Sequence, residues 1–332
     1  MIRVYSAAMR QTILVTVFLV CAYSLHAQVP KPPFTAQDAE AGKRLAVTSV
    51  EIRGQIKEPQ SPAEPFRILG NLYFVGTQNG ESYLLTSPQG HILMGAGYEA
   101  SVDATQKNIE AMGFKLTDVK AILLNHSHVD QSGAAAELRK RTGAQVMAGF
   151  AEVPYLQRGI HAQSPFLTAA GPGPRYPAVT VDRALFDGDV IQVGPLRVTA
   201  FLSPGHSPSS TSWLYTVRDG GRDYRVLEFC CWEYPDDLSR GAFITEVTTR
   251  RTIDWWRKVL PIDVYLEVGA YAWSGTLNQP SGTFTERVAR VRENPRLMID
   301  RDIFRQLSAA REVEFEMKLP TLKVSTPAAP TR

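Results

Sequence analysis

Short apolar runs separated by glycine, asparagine and proline open the central part of the chain. Three of them, at 72–75, 82–86 and 91–94, are rich in β-branched and aromatic residues and predict β-strands. A helical pattern follows, with Ser101 as the predicted N-cap and Gly113 as the predicted stop. The folded part of the chain is therefore expected to begin with strands and then to form a helix.

Strand and helix patterns are mixed beyond that point. We predict a long irregular loop over 153–180, where proline and glycine are frequent. The order of elements favours an α/β sandwich with one core from about residue 64 to 319. The remaining predicted elements are strands at 121–124, 145–148, 190–193, 196–202 and 264–268, a hairpin of 211–217 and 224–229, and helices at 134–142, 252–260, 282–293 and 300–318.

The two ends of the chain show weaker patterns. Residues 28–63 carry many prolines and mixed charge, which predicts an extended arm that leads into the domain. Residues 320–332 are expected to form a flexible tail. The predicted domain between them is 64–319.

The first 27 residues change what the composition says. The chain has 332 residues, of which 44% are hydrophobic and 21% charged, and a net charge of +3. Arg3 and Arg10 precede an apolar run over 13–22, and the small residue Ala27 ends the segment, as in a secretory signal peptide. A membrane anchor is the alternative, but the run is shorter than the ~20 apolar residues that span a bilayer. Removal of 1–27 lowers the basic residues from 36 to 34 against 33 acidic ones, so no nucleic acid or stable membrane partner is expected.

The cysteines give no disulfide scaffold. Cys21 lies in the predicted signal peptide, so the mature chain keeps only Cys230 and Cys231, which are adjacent. Neighbouring Cα atoms lie 3.8 Å apart across a trans peptide, whereas disulfides usually need at least ~4.4 Å. We therefore expect no disulfide between them.

Three histidines lie in two short motifs that each follow a predicted strand. His126 and His128 are two residues apart, so in an extended segment they point to the same side, and Asp130 continues that period. His206 follows another strand in a Pro-Gly-His sequence. Three imidazoles with an open fourth position are typical of catalytic zinc. The alternative is three unrelated polar residues on loops.

The segment from His126 to Asp130 resembles the His-x-His-x-Asp-His signature of the metallo-β-lactamase superfamily. Further stretches, among them 70–76, 182–194 and 294–319, are similar to the third subclass of the true metallo-β-lactamases. The resemblance implies an αββα sandwich with zinc at the edge between its two sheets. It also implies His126, His128 and His206 as the ligands of a first zinc ion.

The ligands of the usual second zinc are only partly present. Asp130 matches its aspartate, but Gln131 and Gly269 stand where the family has histidines, and Gly95 replaces the aspartate of an Asp-Gly turn. Cys231 takes the place of a serine, and a thiolate is a strong zinc ligand. One possibility is a rebuilt second site of Asp130 and Cys231, with the amide of Gln131 as a poorer ligand and Glu267 as a distant candidate. A single zinc and no functional metal also stay open.

The loop after the cysteines carries the candidate substrate contacts. Glu233 stands where the family has a serine that helps to bind the substrate carboxylate, and an acid there repels an anion. Trp232, with Tyr271 and Trp273, is a candidate for the pocket wall or for the core. We expect His91 and His161 to be structural or surface residues.

These observations predict a secreted, periplasmic zinc hydrolase that acts on a small molecule. Zinc would activate water, and Asp130 would orient that water or take its proton. The resemblance makes a β-lactam the first substrate and antibiotic resistance the consequence, with activity weakened by the lost ligands. The alternatives are a hydrolase of a lactone or another cyclic ester or amide, and a non-catalytic periplasmic binding protein.

Overall fold

The computed structural model describes residues 34–56, 58, 60–162, 173–232, 246–268, 273–279 and 281–321. Its strands are β1 (Phe66–Leu69), β2 (Leu72–Phe74), β3 (Tyr83–Leu85), β4 (His91–Met94), β5 (Val119–Leu124), β6 (Gln145–Gly149), β7 (Arg183–Leu185), β8 (Val190–Val193), β9 (Leu196–Leu202), β10 (Thr211–Asp219), β11 (Arg222–Phe229) and β12 (Val264–Glu267). Its α-helices are α1 (Ala36–Gln55), α2 (Val102–Ala111), α3 (Val129–Ser132), α4 (Ala135–Thr142), α5 (Val153–Leu156), α6 (Glu246–Val259), α7 (Ser274–Leu277), α8 (Phe284–Glu293) and α9 (Ile303–Lys318). Among these described helices, none has the length and apolarity to cross a membrane.

The strands form two sheets. One has seven strands in the order β1 to β7, and the other has five in the order β12-β11-β10-β9-β8. The first sheet is antiparallel from β1 to β4 and parallel from β4 to β7. The second is antiparallel except for the parallel pair of β11 and β12. Parallel strands end at the same edge, so their loops gather there.

Three hydrophobic clusters hold the layers together. The central one joins inward residues of both sheets, such as Phe74 and Trp213. A second lies between the first sheet and α2 and α4, and a third lies between the second sheet and α6 and α9. Each sheet therefore buries both of its faces. The predicted αββα sandwich is confirmed.

Most predicted elements are present within a few residues. The hairpin of β10 and β11 closes at Gly220 and Gly221, which both have positive φ, as a two-residue turn requires. Ser101 stands at the N-cap of α2, but its hydroxyl donates to the Tyr98 carbonyl and so does not cap the helix. The short strands β1 and β7 were not predicted.

The extended arm predicted over 28–63 is wrong for 36–55, which form helix α1. Thr35 and Asp38 make a capping box at its start, since each side chain accepts a hydrogen bond from the other's backbone N–H. The prolines lie before and after the helix and do not interrupt it. The predicted signal peptide and residues 322–332 of the predicted tail lie outside the described residues.

Candidate metal centre

The predicted histidines lie on loops at one edge of the sandwich. Strand β5 ends at Leu124, two residues before His126, and β9 ends at Leu202, four residues before His206. Asn125 and Thr211 connect the two loops, because each donates a hydrogen bond to the other's carbonyl, from the Asn125 side chain at 3.0 Å and the Thr211 backbone at 2.8 Å. The sheet edge thus brings together motifs that are 80 residues apart in the sequence.

The three imidazole rings form an equilateral triangle. Ring centroids of His126, His128 and His206 are 4.6 Å apart in all three pairs. One ring nitrogen of each lies within 4.8 Å of the others, which lets the three hold one metal ion. His126 and His128 bring their rings together on one side of the segment, as the His-x-His spacing predicts.

Individual atoms fit a metal at the centre of this triangle. Nδ1 of His128 lies 2.8 Å from Nε2 of His206, so the two nitrogens face each other. Nε2 of His126 is buried without a hydrogen-bond partner and lies 3.8 Å from Oδ1 of Asp130. A buried imidazole nitrogen without a donor or acceptor is unusual, whereas a metal ligand needs such a free lone pair.

Burial keeps His126 neutral. Loss of water lowers the pKa of its imidazole well below the usual value, and the neighbouring His128, His206 and His161 lower it further. A neutral imidazole is the form that binds a metal. The other ring nitrogen, Nδ1, lies 3.4 Å from Sγ of Cys230.

The two cysteines form a disulfide, so the expectation that they would not is wrong. That expectation applied the Cα separation of ordinary disulfides, which is not a limit for this adjacent pair: the bond spans a cis peptide, with Cα atoms 3.2 Å apart. Both sulfurs lie beside His126, the position from which a reduced thiol could reach a metal. As a disulfide, neither sulfur is a thiolate ligand.

Gln131 is fully buried and packs against Gly95. A Cβ at Gly95 would lie 2.8 Å from Oε1 of Gln131 and would overlap the carbonyl of Glu81. Gly95 also has a φ of +72°, which favours glycine. The side chain of Gln131 therefore occupies the space that a side chain at position 95 would need, and these two departures from the family pattern form one packed unit.

The structure does not bring all predicted residues to the centre. Glu267 accepts hydrogen bonds from Arg53 of α1 and from Tyr265, which occupy both of its oxygens. The expectation that Trp232 contacts the substrate is wrong. Its side chain is 6% exposed, packs among the aromatic residues under α6 and α9, and donates its Nε1 hydrogen to Tyr265. Trp273 is likewise buried in the central cluster. Glu233, Gly269 and Tyr271 lie outside the described residues.

Two residues beside the centre were missed as site residues. His161 stacks on His128 with centroids 4.9 Å apart, and its Nε2 accepts a hydrogen bond from the backbone of Val129. Glu152, just past the end of β6, is fully buried between the two histidine loops. The strand-end position of Glu152 was a usable signal. His161 had none, because its contact depends on how the irregular loop folds back.

Comparison with known proteins shows which family the chain is similar to. The family model described as the metallo-β-lactamase superfamily matches residues 75–219. BJP-1, a subclass B3 metallo-β-lactamase of Bradyrhizobium japonicum, is 30% identical with a TM-score of 0.63, covering 80% of this chain and 97% of that one. A Cronobacter sakazakii metallo-β-lactamase described by its HARLDQ motif is 30% identical with a TM-score of 0.66, covering 79% and 96%.

Curated relatives match over a shorter part of the chain. A hydroxyacylglutathione hydrolase of Bradyrhizobium is 32% identical over 125 residues, which are 36% of this chain and 39% of that protein. The chain thus spans about a quarter to two fifths of the length of the curated relatives it matches. The solved structures, in contrast, match over nearly their whole length at 30% identity. The chain therefore belongs to the metallo-β-lactamase superfamily of hydrolases, with subclass B3 metallo-β-lactamases among its structural relatives.

Proposed function

We propose that this protein is a zinc-dependent hydrolase that opens the amide bond of β-lactams. The triangle of His126, His128 and His206, with 4.6 Å between ring centroids, is the observation that carries the proposal. It offers three nitrogen ligands and leaves further positions open, which is the pattern of a catalytic rather than a structural zinc site. The subclass B3 relative supports the β-lactam as the substrate.

The three histidines would hold the zinc. When bound, zinc supplies a Lewis acid that activates water and stabilises the negative charge that develops on a carbonyl oxygen. Asp130 is the proposed general base. Its carboxylate is partly exposed and lies 3.8 Å from Nε2 of His126, a place from which it orients the attacking water and accepts its proton.

We propose one zinc per chain. Gln131 packs on Gly95, Glu267 is engaged by Arg53 and Tyr265, and the disulfide removes both thiolates from a second site. Asp130 is the remaining ligand of that site among the described residues. The HARLDQ motif of the Cronobacter relative also ends in Asp-Gln, as Asp130-Gln131 does here.

A second candidate substrate is a thioester or a lactone. The relatives named hydroxyacylglutathione hydrolase favour the thioester, because their name describes hydrolysis of an acyl derivative of glutathione. The same three histidines would serve either reaction, since ester, thioester and amide carbonyls need the same activated water. The pocket, not the metal ligands, would select the substrate.

We further propose that the chain is exported to the periplasm by residues 1–27. The basic start, short apolar run and small residue at 27 support this. Mass spectrometry of the protein isolated from the periplasm would test it, with Gln28 expected as the first residue of the mature chain.

Zinc content and turnover test the main proposal together. We expect about one zinc per mature chain and hydrolysis of a chromogenic cephalosporin, both lost in His206→Ala. His91→Ala is the matched control, because His91 lies in β4 against Phe114 and outside the triangle. It should keep its zinc and its activity.

Other outcomes would reject parts of the proposal. A wild-type chain that binds zinc and cleaves a thioester but no penicillin, cephalosporin or carbapenem would favour the second candidate. A zinc-loaded chain without turnover of any of these would point to a binding protein.

A further inference from the structure

We infer that Glu152 is a positioning residue, which sets the distance between the two loops that carry the metal ligands. This inference rests on the proposed metal site but not on the identity of the substrate. Glu152 follows β6 in a turn closed by a 2.9 Å hydrogen bond from its own N–H to the carbonyl of Gly149. Its side chain is fully buried between the loops.

Each carboxylate oxygen of Glu152 serves a different loop. Oε2 accepts two hydrogen bonds from Ser127, at 3.0 Å from the backbone N–H and 2.6 Å from the hydroxyl. Oε1 accepts one from the hydroxyl of Ser207 at 2.6 Å and one from the backbone N–H of Ser209 at 2.9 Å. All four donors belong to residues within three positions of a ligand histidine.

The bonded serines are placed to transmit any movement to the ligands. Ser127 stands between His126 and His128, and Ser207 directly follows His206. A shift of the carboxylate would therefore move one pair of imidazoles relative to the third. The triangle of rings depends on that spacing, because His126 and His128 come from one loop and His206 from the other.

The chemistry of the contact requires a carboxylate. Two of the four donors are backbone N–H groups, which cannot reverse their polarity, and they lie on opposite oxygens. A glutamine would turn its NH₂ group toward one of these backbone donors. That donor would then stay buried and unpaired, and the loop would move to relieve it.

Other contacts around Ser127 hold the first loop but do not replace Glu152. Its hydroxyl also accepts from the backbone of Ala162 at 3.0 Å, and its carbonyl accepts from Tyr176 at 2.6 Å. These partners lie on the irregular loop after α5. The reciprocal pair of Asn125 and Thr211 connects the loops beyond the ligands, so Glu152 forms a second connection on the other side of His126.

Cobalt(II) binding to the metal-free protein tests this role. In Glu152→Gln we expect roughly 10- to 100-fold weaker cobalt binding, as for other groups that orient metal ligands without binding the metal themselves. Competition with a chelator measures this affinity. We also expect a changed cobalt absorption spectrum, because the arrangement of the three imidazoles would differ. A residue that only stabilises the fold would lower the melting temperature of the metal-free protein and leave the spectrum of the cobalt form unchanged.

Asp263→Asn is the matched control. Asp263 is also a buried carboxylate, which accepts hydrogen bonds from the backbone N–H of Arg225 and from Arg301. It lies directly before the start of β12, away from the metal centre. It should lower the melting temperature while the cobalt affinity and spectrum stay as in the wild type. Equal cobalt affinity in Glu152→Gln and wild type would overturn the inference.

If Glu152→Gln does not fold, a milder variant tests the same role. Ser207→Ala keeps the carboxylate and removes one donor, and a few-fold loss of cobalt affinity is expected. An unchanged affinity in Ser207→Ala would then overturn the inference. If wild-type cobalt binding depends on Glu152 but no β-lactam is hydrolysed, the positioning role stands and the proposed substrate fails.

Discussion

Gln131 and Gly95 show that a single residue at this centre cannot be judged by itself. The glutamine amide lies 2.8 Å from where a Cβ at position 95 would be, although the two residues are 36 positions apart. Neither change is a simple loss of a ligand, because each makes room for the other. Replacement of Gly95 alone is therefore expected to disrupt this packing, because a Cβ there would overlap the Glu81 carbonyl and the Gln131 amide.

The first prediction concerns Gln131→His. We expect the variant to keep about one zinc per chain, because the last histidine of the usual second site is Gly269 here, which offers no side chain. Elemental analysis of the purified, dialysed protein measures this. Two zinc ions per chain in this variant would contradict the single-site interpretation, and the wild type measured alongside is the control.

The second prediction concerns the cysteine pair. The mature chain, denatured without reductant, should show no free thiol, and after reduction it should show two, because Cys230 and Cys231 are bonded to each other. A thiol-reactive dye gives the count, and an intact mass lower by 2 Da before reduction checks it. Two reactive thiols without reductant would mean that the pair is reduced and available to a metal.

Among the secondary-structure elements, helix α1 differs most from the prediction, which was an extended arm. The side that it buries is made largely of small residues, among them Ala39, Gly42 and Ser49, so its hydrophobic pattern is weak. Gly42 lets α1 approach α9 closely, since a Cβ there would overlap the carbonyl of Gln306. The last turn of α1 also brings Arg53 to Glu267.

Two glycines of this helix give the third prediction. Gly42→Ala should lower the free energy of unfolding by about 1–3 kcal/mol through overpacking against α9. Gly54→Ala is the matched control in the same helix, where nothing lies within 4 Å of the new Cβ. It should stabilise the protein by about 0.5–1 kcal/mol, because alanine loses less backbone entropy. Denaturant unfolding measures both, and equal effects would contradict the close packing of α1 on α9.

Two buried acids, Glu81 and Glu228, make the stability of the whole molecule depend on pH. Glu81 and Glu228 are each 1% exposed. Burial raises the pKa of Glu228 to about 8, against a hydrogen bond from Asn125 that lowers it, and the Glu81 carboxylate raises it further. The folded protein therefore keeps a proton on Glu228 that the unfolded chain releases near pH 4.5.

The fourth prediction is the pH dependence that follows. Stability from the protonated Glu228 is complete below about pH 4.5 and is lost as the pH rises through about 8. The lowered pKa of His126 acts in the opposite direction, with stability lost as the pH falls below 6.5. Between pH 6.5 and 8, the unfolding free energy should therefore fall by ~1.4 kcal/mol per pH unit from Glu228.

Glu228→Gln tests this assignment in the metal-free protein. The variant should lose most of the slope between pH 6.5 and 8 in denaturant unfolding. Glu293→Gln, a change of an exposed acid on α8, is the control that should keep it. A slope unchanged in Glu228→Gln would mean that another group binds the proton.

Local patterns in the sequence predicted an α/β sandwich and three candidate histidine ligands, whereas the αββα order was implied by the resemblance to the metallo-β-lactamase superfamily. Strand and helix periodicity, turn glycines and the His-x-His spacing need no knowledge of distant contacts. The position of each histidine after a predicted strand, together with the resemblance, led to the expectation that His126, His128 and His206 would meet.

Tertiary structure decided the rest, because those features depend on what approaches from elsewhere in the chain. Arg53 engages Glu267 from a helix predicted as an arm, and α6 and α9 enclose Trp232 in a core. The two oxygens of Glu152 reach loops that periodicity cannot relate. Local pattern thus named the candidate ligands, whereas packing between distant segments determines which other groups reach them and how firmly the histidine loops are held.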